Sequence, residues 1–213
     1  MYTGDRGMTW EILLNAGVRE LPVNLNVICK HLGVPAMSYI RGQRLIAELG
    51  KRRQMKESDG FIVRSESGKA LIFYNSACSV GRQRFTIAHK LGHLLLNHHG
   101  DLINREPSPG DNLIEREANV FASRLLAPAC VLWGVNTCNP SSISELCNIS
   151  YRAAEFRARR MASLMRTDRR FMAERGRSYF LQSPLEERLY HQFLPYIMTH
   201  QAPLFGGALF RDD

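Results

Sequence analysis

The segment RQRFTIAHKLGHLLLN, centred on residues 83–97, constrains the fold more than any other stretch. It places Phe85, Ala88, Leu91 and Leu95 at intervals of three and four residues, the rhythm of a helix with apolar faces. Just upstream the period changes. Phe61, Ile62 and Val63 form one β-rich run and Ala70 to Tyr74 another, with Ser67-Gly68 between them as a hairpin turn. A sheet this small is stable only if one face is buried, and the 83–97 helix is the natural cover. The expected class is therefore α+β, a small antiparallel sheet packed on one long helix.

The remaining elements are helical. A first helix is expected over 9–16, capped by Thr9 and ended by Gly17, and a second within NLNVICKHLGV, stopped by Gly33 and Pro35. Residues 38–56 read as helix or irregular chain, with Gly42 and Gly50 counting against a regular helix. Pro107, Pro109 and Gly110 mark a loop over 101–112, and the helix that resumes near 113 must stop before Pro128. Ser142 with Glu145 resembles a capping box, and Ser150 can cap YRAAEFRARRMASLM. That helix, turn and helix near 142–166 is similar to a helix-turn-helix, an arrangement also common in all-α packing. Ser183-Pro184-Leu185-Glu186 opens a last helix. The expected organisation is a core over 1–130, a helical extension over 131–200 and a loose tail over 201–213.

Composition narrows the function classes. With 45% hydrophobic and 23% charged residues the chain reads as globular. No apolar run reaches the roughly 18 residues that span a bilayer, and the start, MYTGDRGMTW, does not read as a signal peptide. No membrane partner and a cytoplasmic location are expected. Five cysteines, an odd number without a CxxC pair, fit reduced thiols. The formal charge of +8 is concentrated between Arg152 and Arg177, where nine arginines face three acids. This stretch reads first as a solvated helix face; nucleic acid is an alternative partner for it.

His89 and His93, four residues apart on the central helix, point the same way and can reach one metal ion. Two polar rings in an apolar helix need some compensating partner. Zinc prefers four ligands, three from protein and one from water in a catalytic site. Glu115, 22 residues after His93, is the expected third ligand, sharing a face with Ala118, Ala122 and Leu125. Asn119 shares that face and is the expected supporting residue behind the ligands. Glu117 is the rival ligand, although a two-residue step turns a helical side chain by about 200°. Ligation by His99 would match three-histidine metalloproteases, but those need glycine three residues after the second histidine, where this chain has Leu96. His98 and His99 are accordingly expected at the surface or on the substrate side.

These segments also resemble a known family. RFTIAHKLGHLLLNHH followed by EREANVFASRLLAP is similar to the paired signature of the ImmA/IrrE metallopeptidases, which cleave phage immunity repressors or act in the radiation response. LPVNLNVICKHLGV resembles that family's opening. The resemblance implies a zincin-like core and a Zn2+-dependent endopeptidase that cuts a helix-turn-helix repressor, releasing genes for mobile-element transfer or stress response. It implies that His89, His93 and Glu115 hold the zinc and Asn119 supports them. Tyr74 and Asn75 would border the cleft, where an extended substrate adds to the sheet. The departure is Lys90, at the position of the family's general-base glutamate. An ammonium has no lone pair with which to take a proton, so impaired catalysis is expected. The alternatives are a pseudopeptidase that binds its repressor without cutting, a base shifted to Glu117 or Glu115, and a DNA-binding regulator.

Overall fold

In the computed structural model, which describes residues 4–98 and 112–201, a three-stranded sheet lies between helices. Its strands are β1 (Ala36–Ser38), β2 (Gly60–Arg64) and β3 (Ala70–Tyr74). The hairpin is antiparallel, with Phe61 opposite Phe73 and Ile62 opposite Ile72. The sheet is nevertheless mixed rather than antiparallel throughout. β1 runs parallel to β3, pairing Ala36 with Ile72 and Ser38 with Tyr74. Three residues are too few to reveal a strand by periodicity, so β1 is not visible in the sequence.

Strand alternation sorts these residues onto two faces, and both are covered. Phe61 and Phe73 turn toward α3 (Tyr39–Glu48) and α4 (Arg52–Glu57), closing a small core with Tyr39 and Ile46. Gly42 is a packing requirement there: a Cβ on it would lie 2.4 Å from Phe73 Cε1. The glycine that counts against a helix in the sequence is what lets α3 approach the sheet. Ile62 and Ile72 face the opposite way, into the main core with Ile87, Ala88 and Leu91 of α5 (Val80–Leu95).

α1 (Gly4–Asn15) and α2 (Leu25–Leu32) open the chain, α2 with Asn24 as cap and Gly33 in the left-handed conformation beyond its end. α6 (Asn112–Leu126) lies along α5 and buries Ala118, Phe121, Ala122 and Leu125. It is followed by α7 (Ala129–Gly134), α8 (Pro140–Cys147), α9 (Tyr151–Arg175), a 3-10 turn (Tyr179–Leu181) and α10 (Pro184–His200). The caps explain two differences from expectation. Asn139, not Ser142, accepts from the first turn of α8, because Pro140 fits the first helical position. α9 continues ten residues past Met165, to Arg175, and stops at Gly176, whose left-handed conformation lets its N–H donate to Met172 O.

The buried core is continuous from Trp10 to Ile197. Gln192 of α10 donates to the carbonyls of Leu13 and Val18 at 3.0 and 2.7 Å, and Arg84 of α5 to those of Val23 and Cys147 at 2.9 and 3.4 Å. All five cysteines are free thiols. Among the described residues no helix is long and apolar enough to cross a membrane. The expected loop over 101–112, all but its last residue, and the tail beyond 201 lie outside the described residues.

Candidate metal centre

Close packing of two helices builds the site. A Cβ on Gly92 would lie 3.1 Å from Phe121 Cδ1 and 3.2 Å from the backbone of Ala118, so α5 and α6 touch almost backbone to backbone there. One residue along α5 is His93, and one turn back along α6 is Glu115. Both therefore face the same gap, with His89 one turn earlier on α5.

His93 Nε2 lies 2.9 Å from His89 Nε2 and 3.3 Å from Glu115 Oε1; His89 Nε2 lies 3.2 Å from Glu115 Oε2. His93 is fully buried and Glu115 keeps about a fifth of its exposure. Ligands about 2.0–2.1 Å from a tetrahedral ion stand about 3.3–3.4 Å apart, close to these separations. Two imidazole nitrogens and a carboxylate form the nitrogen and oxygen set suited to a divalent transition metal. The residues present fit a metal ion, and among the described residues they are the group of ligating side chains that converges.

A second layer fixes the ring of His93. Asn97 takes a left-handed conformation, φ 54°, just past the end of α5, and its N–H donates to Leu94 O. The N–H of His98 then reaches back to His93 O at 3.0 Å, closing a Schellman turn. The turn carries the His98 ring onto His93, Nδ1 to Nδ1 at 3.1 Å, and its Nε2 to Glu117 Oε2 at 2.9 Å. A carboxylate only accepts, so an uncharged His98 donates through Nε2 and accepts at Nδ1 from His93. That leaves the lone pair of His93 on Nε2, aimed at the cluster.

Several expected placements change. His98 is buried, not a surface residue, because the Schellman turn folds it inward. Glu117 faces His98 instead of the ligand cluster, as the two-residue rotation from Glu115 requires. Asn119 is exposed, and the supporting place behind His93 is taken by His98 and Glu117. Tyr74 ends the central strand, paired on both sides with Ser38 and Gly60, so it has no edge to offer an extended substrate. Asn75 is spent locally, its N–H on Asp59 O and its Oδ1 on Ala77 N–H. Strand addition would have to use the outer edge of β1 or β2. His99 lies outside the described residues. Asn97 is expected from the sequence to help end this helix, and it does so as the residue type that after glycine most readily takes the left-handed conformation, which is what turns His98 inward.

The electrostatics follow from burial. Burial pushes the pKa of His93 below its ordinary value of 6.5, which keeps the ring uncharged near neutrality and ready to ligate. Desolvation works to raise Glu115, but the neighbouring His89 and His93 outweigh that and hold it well below the carboxylate range. Lys90 is half-buried beside the cluster. Desolvation lowers its pKa, and the charge of Glu115 acts in the opposite direction. His89 Nδ1 is buried with no hydrogen-bond partner among the described residues.

A family model, Peptidase_M78, described as the IrrE N-terminal-like domain, matches residues 51–159, which include the whole cluster. No curated protein matches the chain.

Proposed function

Because the chain belongs to the IrrE N-terminal-like domain family of metallopeptidases, we propose that it holds zinc at His89, His93 and Glu115 and engages a helix-turn-helix repressor that it cuts poorly or not at all. The observation that carries this reading is Lys90 standing beside an otherwise complete ligand set. A bound zinc ion supplies Lewis acidity at the scissile carbonyl and acidifies water.

The protein's own residues do the rest. His93 presents its Nε2 lone pair because His98 and Glu117 fix the tautomer. Glu115 is ionised, and its carboxylate spans both histidines. Lys90, in the general-base position, presents N–H donors and no lone pair, so its ammonium takes no proton from an attacking water. It also draws on the negative charge of Glu115 that would otherwise serve the cation alone. A shifted base is poorly supported, because Glu115 is committed to the histidines and Glu117 to His98.

The test pairs metal content with cleavage. Zinc should be stoichiometric in the parent and much reduced in His89→Ala. Lys90→Glu should bind zinc more tightly and cleave a panel of helix-turn-helix repressors about 10²–10⁴ times faster than the parent. Equal zinc in the parent and His89→Ala removes His89 from the ligand set. A parent that cuts as fast as Lys90→Glu ends the claim of impaired catalysis. A repressor that binds but is cut by neither identifies a binding protein.

A further inference from the structure

Nine arginines fall between Arg152 and Arg177, and the fold treats them unequally. Arg157 is buried in the face of α9 that also holds Ala154, Ala158, Met161 and Leu164, whereas the other eight are exposed. At about 100° per residue, Arg152, Arg159, Arg166 and Arg170 fall on one stripe about 40° wide, opposite that buried face. The stripe runs about 27 Å along the helix axis, and Arg169 adjoins it. From Arg166 to Arg175 no side chain of α9 is buried, so this end of the helix stands clear of the core. The returning chain holds it in place. Asp168 accepts from Ser178 Oγ and from Tyr179 N–H, both at 2.7 Å, and Phe171 meets Tyr179 edge-on with ring centroids 5.7 Å apart.

Elsewhere the chain offsets its exposed helical arginines. In α3 Arg44 pairs with Glu48, and in α4 Arg53 with Glu57, each at 2.9 Å and four residues apart. On the projecting end of α9 that compensation is missing. Arg166, Arg169 and Arg170 lie three and four residues apart, where like charges destabilise a helix, and among the described residues none of them is in an ion pair. Asp168, between them in sequence, is turned to Ser178 and Tyr179. Glu174, four residues after Arg170, makes no ion pair, and Arg159, four after Glu155, lies over the Phe156 ring at 5.6 Å instead. Nor do the three arginines serve the helix end, since they stand before the last turn, where the helix dipole acts.

An uncompensated row of guanidiniums suits a polyanion, and the planar fork of each matches phosphate. Duplex DNA carries one charge per about 1.7 Å of its axis, and its major groove, about 12 Å wide, admits a single helix. The narrow major groove of A-form RNA does not. A single strand is held by bases stacked on open aromatic rings, and Phe156, the exposed ring on this stripe, is taken by Arg159.

We propose that the projecting end of α9 enters the major groove of duplex DNA, with Arg166, Arg169 and Arg170 on the phosphates and Arg159 and Arg152 extending the contact toward the core. The contact is to the backbone and carries no sequence preference. It uses no residue of the metal centre, so the two readings stand or fall separately.

The test is fluorescence anisotropy of a short labelled DNA duplex of arbitrary sequence, titrated with the full chain at salt from about 50 to about 200 mM. The logarithm of the affinity should fall linearly with that of the salt concentration, with a slope of about −4 to −5 for five phosphate contacts. The double variant Arg166→Gln/Arg170→Gln should make the slope shallower by about 2 and weaken low-salt binding at least about tenfold. Both positions are exposed, so its Tm should match the parent's. Arg44→Gln/Arg53→Gln, which removes the paired arginines, should leave the slope unchanged. Duplex RNA, single-stranded DNA and polyglutamate should each bind more weakly than duplex DNA. Absence of duplex DNA binding at low salt, an unchanged slope in Arg166→Gln/Arg170→Gln, or an equal loss in Arg44→Gln/Arg53→Gln overturns the proposal. So does binding of RNA, single strand or polyglutamate as tight as that of duplex DNA.

Discussion

Replacing Gly92 with alanine puts a methyl group at the closest approach of α5 and α6. That methyl would lie 3.1 Å from Phe121 Cδ1 and 3.2 Å from both the Cα and the O of Ala118. Carbon atoms rest at about 3.5–4.0 Å, so the helices must part by a few tenths of an ångström. Alanine favours helix over glycine by about 0.8–1.0 kcal/mol, which offsets part of the crowding. Stability should therefore change by less than about 1 kcal/mol. The ligand cluster is less tolerant. His93 adjoins the substituted residue and Glu115 sits one turn before Ala118, so the same displacement stretches their 3.3 Å contact. Metal–ligand distances hold to within about 0.2 Å, and zinc affinity should fall about 10–100-fold, the range for a lost supporting partner. Competition against a chromophoric chelator measures this, while melts of the metal-free proteins isolate the effect on folding. Unchanged zinc affinity in Gly92→Ala, whatever happens to Tm, would refute the link between this contact and the centre.

Two further outcomes follow from the layer behind the ligands. His98→Ala removes the acceptor that fixes the His93 tautomer, and zinc affinity should drop about 10–100-fold; a cobalt-substituted protein should show an altered visible spectrum. For pH, the unfolded chain takes up a proton at His93 near 6.5 while the folded chain, with its lowered pKa, does so only at lower pH. Folding stability of the metal-free protein should thus decline as pH falls from about 6.5 and level off below the folded value. In His93→Gln that decline should shrink, as followed by Tm across the range.

The central part of the site was legible because it rests on periodicity. His89 and His93 fall four apart on a helix whose apolar pattern is strong, and Glu115 shares a face with Ala118, Ala122 and Leu125, all of which are buried. What escaped depends on contacts distant in sequence or on single backbone states. β1 is defined only by its pairing with β3. Asn97 marks a helix end, but only its left-handed conformation, which the residue type does not by itself dictate, converts His98 from an expected surface residue into a buried partner. Spacing alone puts Asn119 on the face of Glu115, yet Asn119 is exposed. Arg157 was one of nine arginines in a basic run, and nothing in that run marks it as the buried one.

The hydrogen bonds from Gln192 to Leu13 and Val18 fasten the last helix to the first. Trimming the chain to residues 51–159 would therefore not isolate the catalytic-type half. It would leave Ala122, Leu125 and Val131 without the greasy lid supplied by Trp10, Leu13 and Phe193, and such a fragment should be recovered as insoluble material even with both histidines and the glutamate intact.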